Sequence, residues 1–281
     1  MPFSWAGLIC RVRRRRAWRR WAAALLPSAL LLGVGLALAT SPANQGLFML
    51  GNAWSRTLPD AFWSALTLLG TAAGAFALLG LLLRARPQYF AAGMLAVLPG
   101  SLYSYGLKRI MDLPRPAAAL ASGQFHQIGE VLRHHAFPSG HALTAFAFAS
   151  IVLWLPPRRR VAPIALAIAL AAAVAVSRVA VGAHWPADLL AGAAGGWLAA
   201  AIGVAWSEHW RFWECRRGVV VMATVLAGMG VYLCYQDLGY PLAGEFQYGL
   251  AALAFIGCVA ALLPSRPEAA RPPAHPVRQQ E

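Results

Sequence analysis

Long apolar stretches separated by short polar segments dominate this chain. A helix needs about 20 apolar residues to cross a bilayer core, and eight stretches approach or reach that length. They are residues 21–40, 61–83, 88–107, 141–155, 162–181, 186–206, 218–236 and 246–263. Lipid offers the backbone no hydrogen-bond partners, and none of the stretches alternates with the period of a barrel strand, so each is predicted to be a helix. The predicted fold class is all-α, a polytopic transmembrane helical bundle.

Two polar segments stand out against this background. The first, residues 108–138, separates the third and fourth apolar stretches. Some of its apolar residues recur at helical spacing, which predicts a short helix on the outer membrane surface; they are Phe125, Ile128, Val131 and Leu132. The second, residues 265–281, is rich in Pro, Arg, Ala and Gln. Because it cannot bury an apolar face, we expect a disordered tail.

Composition agrees with a membrane protein, since hydrophobic residues make up 59% of the chain and charged residues only 12%. The net charge of +14 could suggest a nucleic acid partner. However, the arginines lie at the ends of apolar stretches, where membrane proteins carry their topology signals, so no nucleic acid partner is expected. The four cysteines have neither metal-site nor disulfide-framework spacing.

The arginines also predict the orientation. With the N-terminus inside, the cytoplasm receives a basic N-terminal segment (residues 1–20), Arg84, Arg86, Arg158 to Arg160 and the basic tail, whereas few cations remain outside. The N-terminal region also resembles a signal peptide, because Ala37-Leu38-Ala39 has the pattern of a cleavage site. The apolar stretch is long for that, so we prefer an uncleaved anchor.

Polar residues of the predicted outer face form three clusters at the ends of spans. They are Lys108 and Arg115 after the third span, Ser139, Gly140 and His141 at the start of the fourth, and Arg178, His184 and Asp188 between the fifth and sixth. Because these span ends share one face of the membrane, we expect the side chains to lie together. Three cations, a hydroxyl and the amides of a helix N-terminus suit the oxygens of a phosphate group.

Two histidines exceed what phosphate binding requires. A neutral His184 can attack phosphorus, and Asp188, four residues later on the same helix face, can accept the proton of its other ring nitrogen. His141 also titrates near neutral pH, so we expect it to protonate the leaving group and later to activate water. The cations stabilise the charge of the transition state. This chemistry predicts a phosphohistidine intermediate.

These residues form three motifs that resemble those of the type 2 phosphatidic acid phosphatase superfamily, which includes lipid phosphate phosphatases and vanadium haloperoxidases. The motifs are Lys108, six residues and Arg115-Pro116; Pro138-Ser139-Gly140-His141; and Ser177-Arg178, five residues, His184, three residues and Asp188. The resemblance covers about residues 21–207 and implies a six-helix phosphatase core, with motifs at 108–116, 138–141 and 177–188. Residues 208–264 are predicted to add two transmembrane helices.

The resemblance implies the same assignment of roles. His184, His141 and Asp188 would be catalytic, and Lys108, Arg115, Ser139, Gly140 and Arg178 would hold the phosphate. It implies neither a metal nor a cofactor for a phosphatase of this type. The expected partner is the lipid phosphate substrate, and the oligomeric state is left open. The expected location is a bacterial inner membrane, with the N-terminus cytoplasmic and the active site periplasmic.

The expected activity is hydrolysis of an outer-leaflet lipid phosphate, such as undecaprenyl diphosphate, phosphatidylglycerol phosphate or phosphatidate. The same mechanism suits a lipid A phosphatase, or an enzyme that transfers phosphate from undecaprenyl diphosphate to lipid A. A vanadium haloperoxidase shares the oxyanion site, but the eight predicted spans argue against it. A transporter of lipid phosphates would place polar residues at mid-membrane depth, and few are found there.

Overall fold

The computed structural model describes residues 5–155 and 161–264, and both ranges are built from helices. The helices are α1 (Trp5–Ala39), α2 (Ala43–Ser55), α3 (Asp60–Leu68), α4 (Ala72–Gly80), α5 (Pro87–Met111), α6 (Pro116–Ala119), α7 (Gly140–Trp154), α8 (Val161–Ala180), α9 (Pro186–Trp210), α10 (Arg216–Tyr235) and α11 (Gly244–Leu262), with 3₁₀ turns at Phe212–Glu214 and Pro241–Ala243. The all-α prediction is confirmed. The predicted tail, residues 265–281, and Arg158 to Arg160 lie outside the described residues.

All eight predicted spans are helical, but two differ from simple membrane-crossing helices. Within the described ranges, six helices are long and apolar enough to cross a membrane, or seven if α3 and α4 count as one broken span. The predicted span 61–83 is divided into these two helices, which are bent by 72°. The hydroxyl of Thr71 accepts a hydrogen bond from Gly74 N at 3.0 Å and starts α4 as a separate helix. In addition, α7 has 15 residues, about 22 Å at 1.5 Å per residue.

Helix α2 was not predicted, and it supports the end of α8 that carries Arg178. Its apolar positions Leu47, Leu50 and Trp54 are exposed, whereas the side chain of Asn52 is buried. The Asn52 amide donates to the carbonyls of residues 126, 179 and 180, and its oxygen accepts from His126 N at 2.7 Å. One side chain thus joins α2, α8 and the outer loop, a name that we give to residues 120–139.

The predicted surface helix from Phe125 to Leu132 is wrong, because the outer loop follows an irregular path. Tertiary hydrogen bonds hold its backbone: Ile128 N donates to Val181 O at 3.2 Å, and Glu130 N donates to Gly239 O at 2.9 Å. Gly129 has a φ of 73°, which is incompatible with a right-handed helix. The apolar side chain of Ile128 is buried in the protein core. Burial in the core thus accounts for Ile128, whereas Val131 is exposed, so the four apolar residues do not share one buried face.

Helix α9 is the centre of the bundle and packs against α1, α5 and α7. Its small residues allow close backbone approach. A Cβ at Gly196 would lie 2.3 Å from Leu143 O of α7, and a Cβ at Gly203 would lie 2.4 Å from Ala92 O of α5. These contacts fix α5 and α7 relative to α9. The predicted site residues lie at or beside the ends of these three helices, except Arg178 in the last turn of α8.

The C-terminal pair, α10 and α11, packs against α4 and extends the same core. A Cβ at Gly257 would lie 2.7 Å from Gly80 O, and a Cβ at Gly80 would lie 2.4 Å from Leu226 Cδ2. Leu226 is fully buried. The pair is therefore an integral part of the bundle, in close backbone contact with α4.

Candidate active site

The three predicted clusters meet where α5 ends, α7 begins, and α8 connects to α9. Arg115 Nη1 lies 3.2 Å from His184 Nε2, which joins the first motif to the third. Ser139 N donates to Asp188 O at 3.0 Å, which joins the second motif to the third. Arg115, Ser139, His184 and Asp188 are all buried. The site is therefore a single enclosed centre built from all three motifs.

His184 and Asp188 form a buried pair at the start of α9. His184 Nδ1 lies 3.1 Å from Asp188 Oδ2, and both side chains are 2% exposed. Pro186 starts the helix, so Asp188 occupies its first turn. There the same carboxylate oxygen accepts a hydrogen bond from Trp185 N at 2.9 Å. The helix start thus holds the carboxylate in position, and the carboxylate orients the imidazole.

The two partners of His184 define which ring nitrogen carries the proton. A carboxylate accepts and a guanidinium only donates, so Nδ1–H donates to Asp188 and Nε2 accepts from Arg115. His184 lies in the connector between α8 and α9. Burial lowers the pKa of His184 well below the ordinary 6.5. The positive charges of Arg115, Arg178 and Lys108 lower it further. The imidazole is neutral at neutral pH, with a lone pair on Nε2.

Arg115 is held by the backbone of the outer loop. Its Nε donates to His134 O at 2.8 Å, and its Nη1 donates to Ala183 O at 3.2 Å. The backbone N–H of Arg115 donates to Arg133 O at 2.9 Å. The rings of His134 and His135 are exposed, as expected for loop histidines. These residues contribute backbone carbonyls, which aim the guanidinium at His184.

Arg178 is 1% exposed and has two hydroxyl partners that the sequence did not indicate. Its Nη1 donates to Thr67 Oγ1 and, at 2.7 Å, to the hydroxyl of Tyr240. Its Nε has no hydrogen-bond partner within the described residues. Thr67 was a polar position inside an apolar stretch, a weak signal, and no local spacing relates Tyr240 to any motif.

The start of α7 supplies the second motif. Ser139 is the N-cap, and its hydroxyl accepts from Ala142 N at 3.4 Å. A Cβ at Gly140 would meet no atom within 4 Å, whereas a Cβ at Gly70 would lie 3.0 Å from His141 Cδ2. The Nε2 atom of His141 is buried without a partner in the described part of the chain. The break between α3 and α4, where Gly70 lies, therefore accommodates the His141 ring.

Lys108 and Gly140 close one end of a cavity of about 360 Å³ between α4, α5 and α7, which we call the α5–α7 groove. Near this end the lining includes hydroxyl side chains, such as those of Ser104 and Thr144, and further along it is apolar, with Val97 and Phe148. Among the described residues, no group of three or more His, Cys, Asp or Glu side chains could hold a metal ion. The site's side chains and amides instead suit an anion joined to an apolar chain.

One protein family matches this chain over the region that carries the site. The PAP2 superfamily matches residues 66–212, which include all three motifs and end before α10. A lipid A 1-phosphatase of Rhizobium etli is 52% identical over 63 residues, which are 22% of this chain and 25% of that protein. A lipid A 1-phosphatase of Rhizobium johnstonii is 43% identical over 96 residues, 33% of this chain and 37% of that protein.

A solved structure is also similar. The crystal structure of Aquifex aeolicus LpxE matches with a TM-score of 0.52 and 25% sequence identity, and the match covers 59% of this chain and 97% of that one. This chain thus aligns with about a quarter to about a third of the length of the two curated relatives, and with nearly all of the solved structure.

Proposed function

This chain belongs to the PAP2 superfamily, and from that premise we propose that it is a membrane phosphatase that hydrolyses a lipid phosphate or diphosphate through a phosphohistidine. The observation that carries the proposal is the buried set of Arg115, His184 and Asp188, which presents a neutral imidazole with its lone pair on Nε2. The proposed catalytic residues are His184, His141 and Asp188, and the proposed phosphate ligands are Lys108, Arg115, Ser139, Gly140 and Arg178.

In the first step, Nε2 of His184 attacks phosphorus while the bond from phosphorus to the leaving oxygen breaks. The Nδ1–H bond to Asp188 stabilises the positive charge that develops on the ring. Phosphate oxygens that bind Arg115 draw its Nη1 away from Nε2 and free the lone pair. The negative charge of the substrate also offsets the cations around His141 and favours its protonated form, so His141 can protonate the leaving oxygen.

In the second step, water attacks the phosphohistidine. His141, now neutral, takes a proton from the water, the bond between Nε2 and phosphorus breaks, and inorganic phosphate leaves. His141 ends the cycle protonated and His184 ends it neutral, as both began. Each group that stabilises charge in these steps is a side chain or a backbone amide of this chain, so the proposed mechanism is independent of a metal.

The α5–α7 groove supports a lipid as the substrate. Its apolar lining begins beside Lys108 and Gly140 and continues along α5 and α7 away from the phosphate ligands. We propose that an acyl or prenyl chain lies in this groove while its phosphate faces His184. Because the chain already lies in the apolar bilayer, its preference for the groove depends on packing and not on removal from water.

Two lipid classes compete as the substrate. The first comprises undecaprenyl diphosphate, phosphatidylglycerol phosphate and phosphatidate, and the second is lipid A. The two Rhizobium relatives are both lipid A 1-phosphatases, with identities of 52% over 63 residues and 43% over 96 residues. We therefore propose lipid A as the first substrate to test, with the other lipids beside it.

The location of the described arginines supports a periplasmic site in a bacterial inner membrane. Arg84 donates to the carbonyls of residues 260, 263 and 264, and Arg216 donates to those of residues 261 and 262. Arg20 pairs with Glu208 near the end of α9. Each of these contacts lies at the helix ends opposite the site. By the positive-inside rule that end is cytoplasmic, so the proposed site faces the periplasm.

The test is phosphate release by the purified protein in detergent from lipid A, undecaprenyl diphosphate, phosphatidylglycerol phosphate and phosphatidate. We expect release from one class, and a loss of at least about 10³-fold in His184→Ala, the size seen when a nucleophile is removed. His209→Ala is the matched control, because His209 is exposed at the far end of α9, and it should keep full activity.

Folded wild-type protein that releases phosphate from none of these lipids would contradict the proposed hydrolysis. Appearance of the phosphate on a second lipid would instead establish a phosphotransferase with the same histidine chemistry. Equal activity of the wild type and His184→Ala would refute the assigned nucleophile, whatever the substrate.

A further inference from the structure

The turn between α10 and α11 reaches the phosphate site although it lies outside the family match. The match ends at residue 212, and Tyr240 follows it in the 3₁₀ turn that leads into α11. Tyr240 is 7% exposed, and its hydroxyl accepts a hydrogen bond of 2.7 Å from Arg178 Nη1. A residue of the C-terminal pair therefore contacts a proposed phosphate ligand directly.

We propose that Tyr240 is a positioning residue that orients Arg178 for phosphate. The proposal rests on the proposed function, since it takes Arg178 as a phosphate ligand. A guanidinium has five N–H donors. The two on Nη1 point to Thr67 and Tyr240, on the side of the group away from Nε–H. The parallel donors of Nε and Nη2 form the opposite edge, which suits two oxygens of one phosphate.

The unpaired Nε–H of Arg178 supports this orientation of the guanidinium. Nε is buried and has no hydrogen-bond partner within the described residues. A buried N–H without a partner has lost its hydrogen bonds to water and gained none in return, so the fold holds this edge against a free energy penalty. A phosphate oxygen at Nε would satisfy the donor. The hydroxyls of Thr67 and Tyr240 keep the guanidinium from rotating to satisfy Nε elsewhere.

Tyr240 is itself fixed by an interlock with the outer loop. Gly239 O accepts from Glu130 N at 2.9 Å, and Gly239 N donates to Asp237 Oδ1 at 2.7 Å. A Cβ at Gly129 would lie 2.4 Å from Gly239 O and 2.7 Å from the Tyr240 ring. Only a glycine at position 129 allows the loop to lie this close, and its φ of 73° also favours glycine.

The interlock gives the C-terminal pair a role in the site. Helices α10 and α11 pack against α4 and hold the turn between them at the outer end of the bundle. The turn then supplies the second hydroxyl to Arg178. Within the family match, Arg178 has one hydroxyl partner, Thr67. The turn between the two added helices supplies the other, Tyr240.

The test compares wild type with Tyr240→Phe, which removes one hydroxyl and keeps the ring. We expect kcat/KM to fall about tenfold, the size expected for losing a hydrogen bond to a charged group. The inhibition constant of vanadate, which resembles the transferring phosphoryl group, should rise by a similar factor. Tyr235→Phe is the matched control, because Tyr235 ends α10 and is 88% exposed, and both constants should stay unchanged.

A double-mutant cycle separates positioning from a general structural effect. In an Arg178→Lys background, Tyr240→Phe should change kcat/KM by less than about twofold, because lysine has no fork to orient. An equal factor in both backgrounds would overturn the proposal, as would a Tyr240→Phe protein that no longer folds, since the hydroxyl would then serve the fold. Inactive wild type would refute the proposed function instead, whereas active wild type with unaffected Tyr240→Phe refutes only this inference.

Discussion

At the scale of single residues, the site separates the tasks of its two histidines by their surroundings. His184 has a hydrogen-bond partner for each ring nitrogen, Asp188 at Nδ1 and Arg115 at Nε2. The Nε2 atom of His141 is buried without one among the described residues. A nucleophile must be fixed in tautomer and direction, whereas an acid that serves both steps must reach the leaving oxygen and then water. The two environments match these two requirements.

The pH dependence follows from the lowered pKa of His184. The neutral ring bonded to an ionised Asp188 is the reactive form, so the titration of His184 itself removes activity only when pH falls far enough to protonate the ring. Because burial and neighbouring cations lower this pKa well below 6.5, we expect the acidic limb of kcat/KM that protonation of His184 causes to lie well below pH 6.5. The check is a pH profile of kcat/KM, with the second ionisation of the substrate measured separately by ³¹P spectroscopy. An enzyme limb at or above pH 6.5 that is still present in Asp188→Asn would contradict the neutral nucleophile.

The role of His141 can be tested through the leaving group. In His141→Asn, lipid alkoxides lack their proton donor, and we expect about a 10²–10⁴-fold loss of activity, the usual size of general acid–base catalysis. A p-nitrophenyl ester needs little protonation, so its first step should stay fast while water attack becomes slow. Stopped-flow measurement should then show a burst of p-nitrophenol close to one equivalent per site. Equal losses on both substrates, without a burst, would count against the assigned role.

At the scale of elements, small residues hold the helix ends that carry the motifs. Gly196 of α9 contacts α7 so closely that a Cβ would lie 2.3 Å from Leu143 O. Since Ser139 N also donates to Asp188 O at the start of both helices, a shift of α7 moves His141 relative to His184. The site's geometry therefore depends on residues well inside the membrane.

This dependence predicts the effect of Gly196→Ala. The added methyl group must push α7 away, and overpacking of this kind costs about 1–3 kcal/mol, so thermal unfolding in detergent should occur at a lower temperature and activity should fall. Gly228→Ala is the matched control, because a Cβ at Gly228 would meet nothing within 4 Å. If Gly196→Ala retains the stability and activity of the control, α7 and α9 are not held by this contact.

The sequence predicted the helices and the motifs at their ends, but not the break between α3 and α4, the path of the outer loop or the contact of Tyr240 with Arg178. Apolar length is a local property, so the eight helical stretches were found, and motif residues at their ends follow from it. The break at Gly70 and Thr71 lies against the His141 ring, which leaves no room for a side chain at position 70. This contact is tertiary, so the local sequence does not reveal it. The path of the outer loop depends on Asn52 and Gly239, which are distant in sequence. The contact of Tyr240 with Arg178 spans 62 positions, and no local pattern encodes it.

At the scale of the whole molecule, the proposed orientation is accessible to labelling. Ser122 is exposed in the outer loop beside the site, and Cys215 is exposed in the connector between α9 and α10 at the opposite end. In intact bacterial cells, a membrane-impermeant maleimide should label Ser122→Cys at once and should reach Cys215 only after lysis. The wild type is the matched control for the added thiol. Labelling of Cys215 before lysis, without labelling at position 122, would reverse the proposed orientation.

In the proposed reaction the phosphoryl group passes through His184 Nε2. The most direct measurement uses His141→Asn and a p-nitrophenyl phosphate ester, because the intermediate should accumulate when water attack is slow. The reaction is stopped in alkali, where phosphohistidine is stable, and the phosphorylated peptide is analysed by mass spectrometry and ³¹P spectroscopy. We predict one phosphate on Nε2 of His184, and none after a further His184→Ala substitution. Phosphate on another residue, or full hydrolysis without any phosphorylated enzyme, would contradict it.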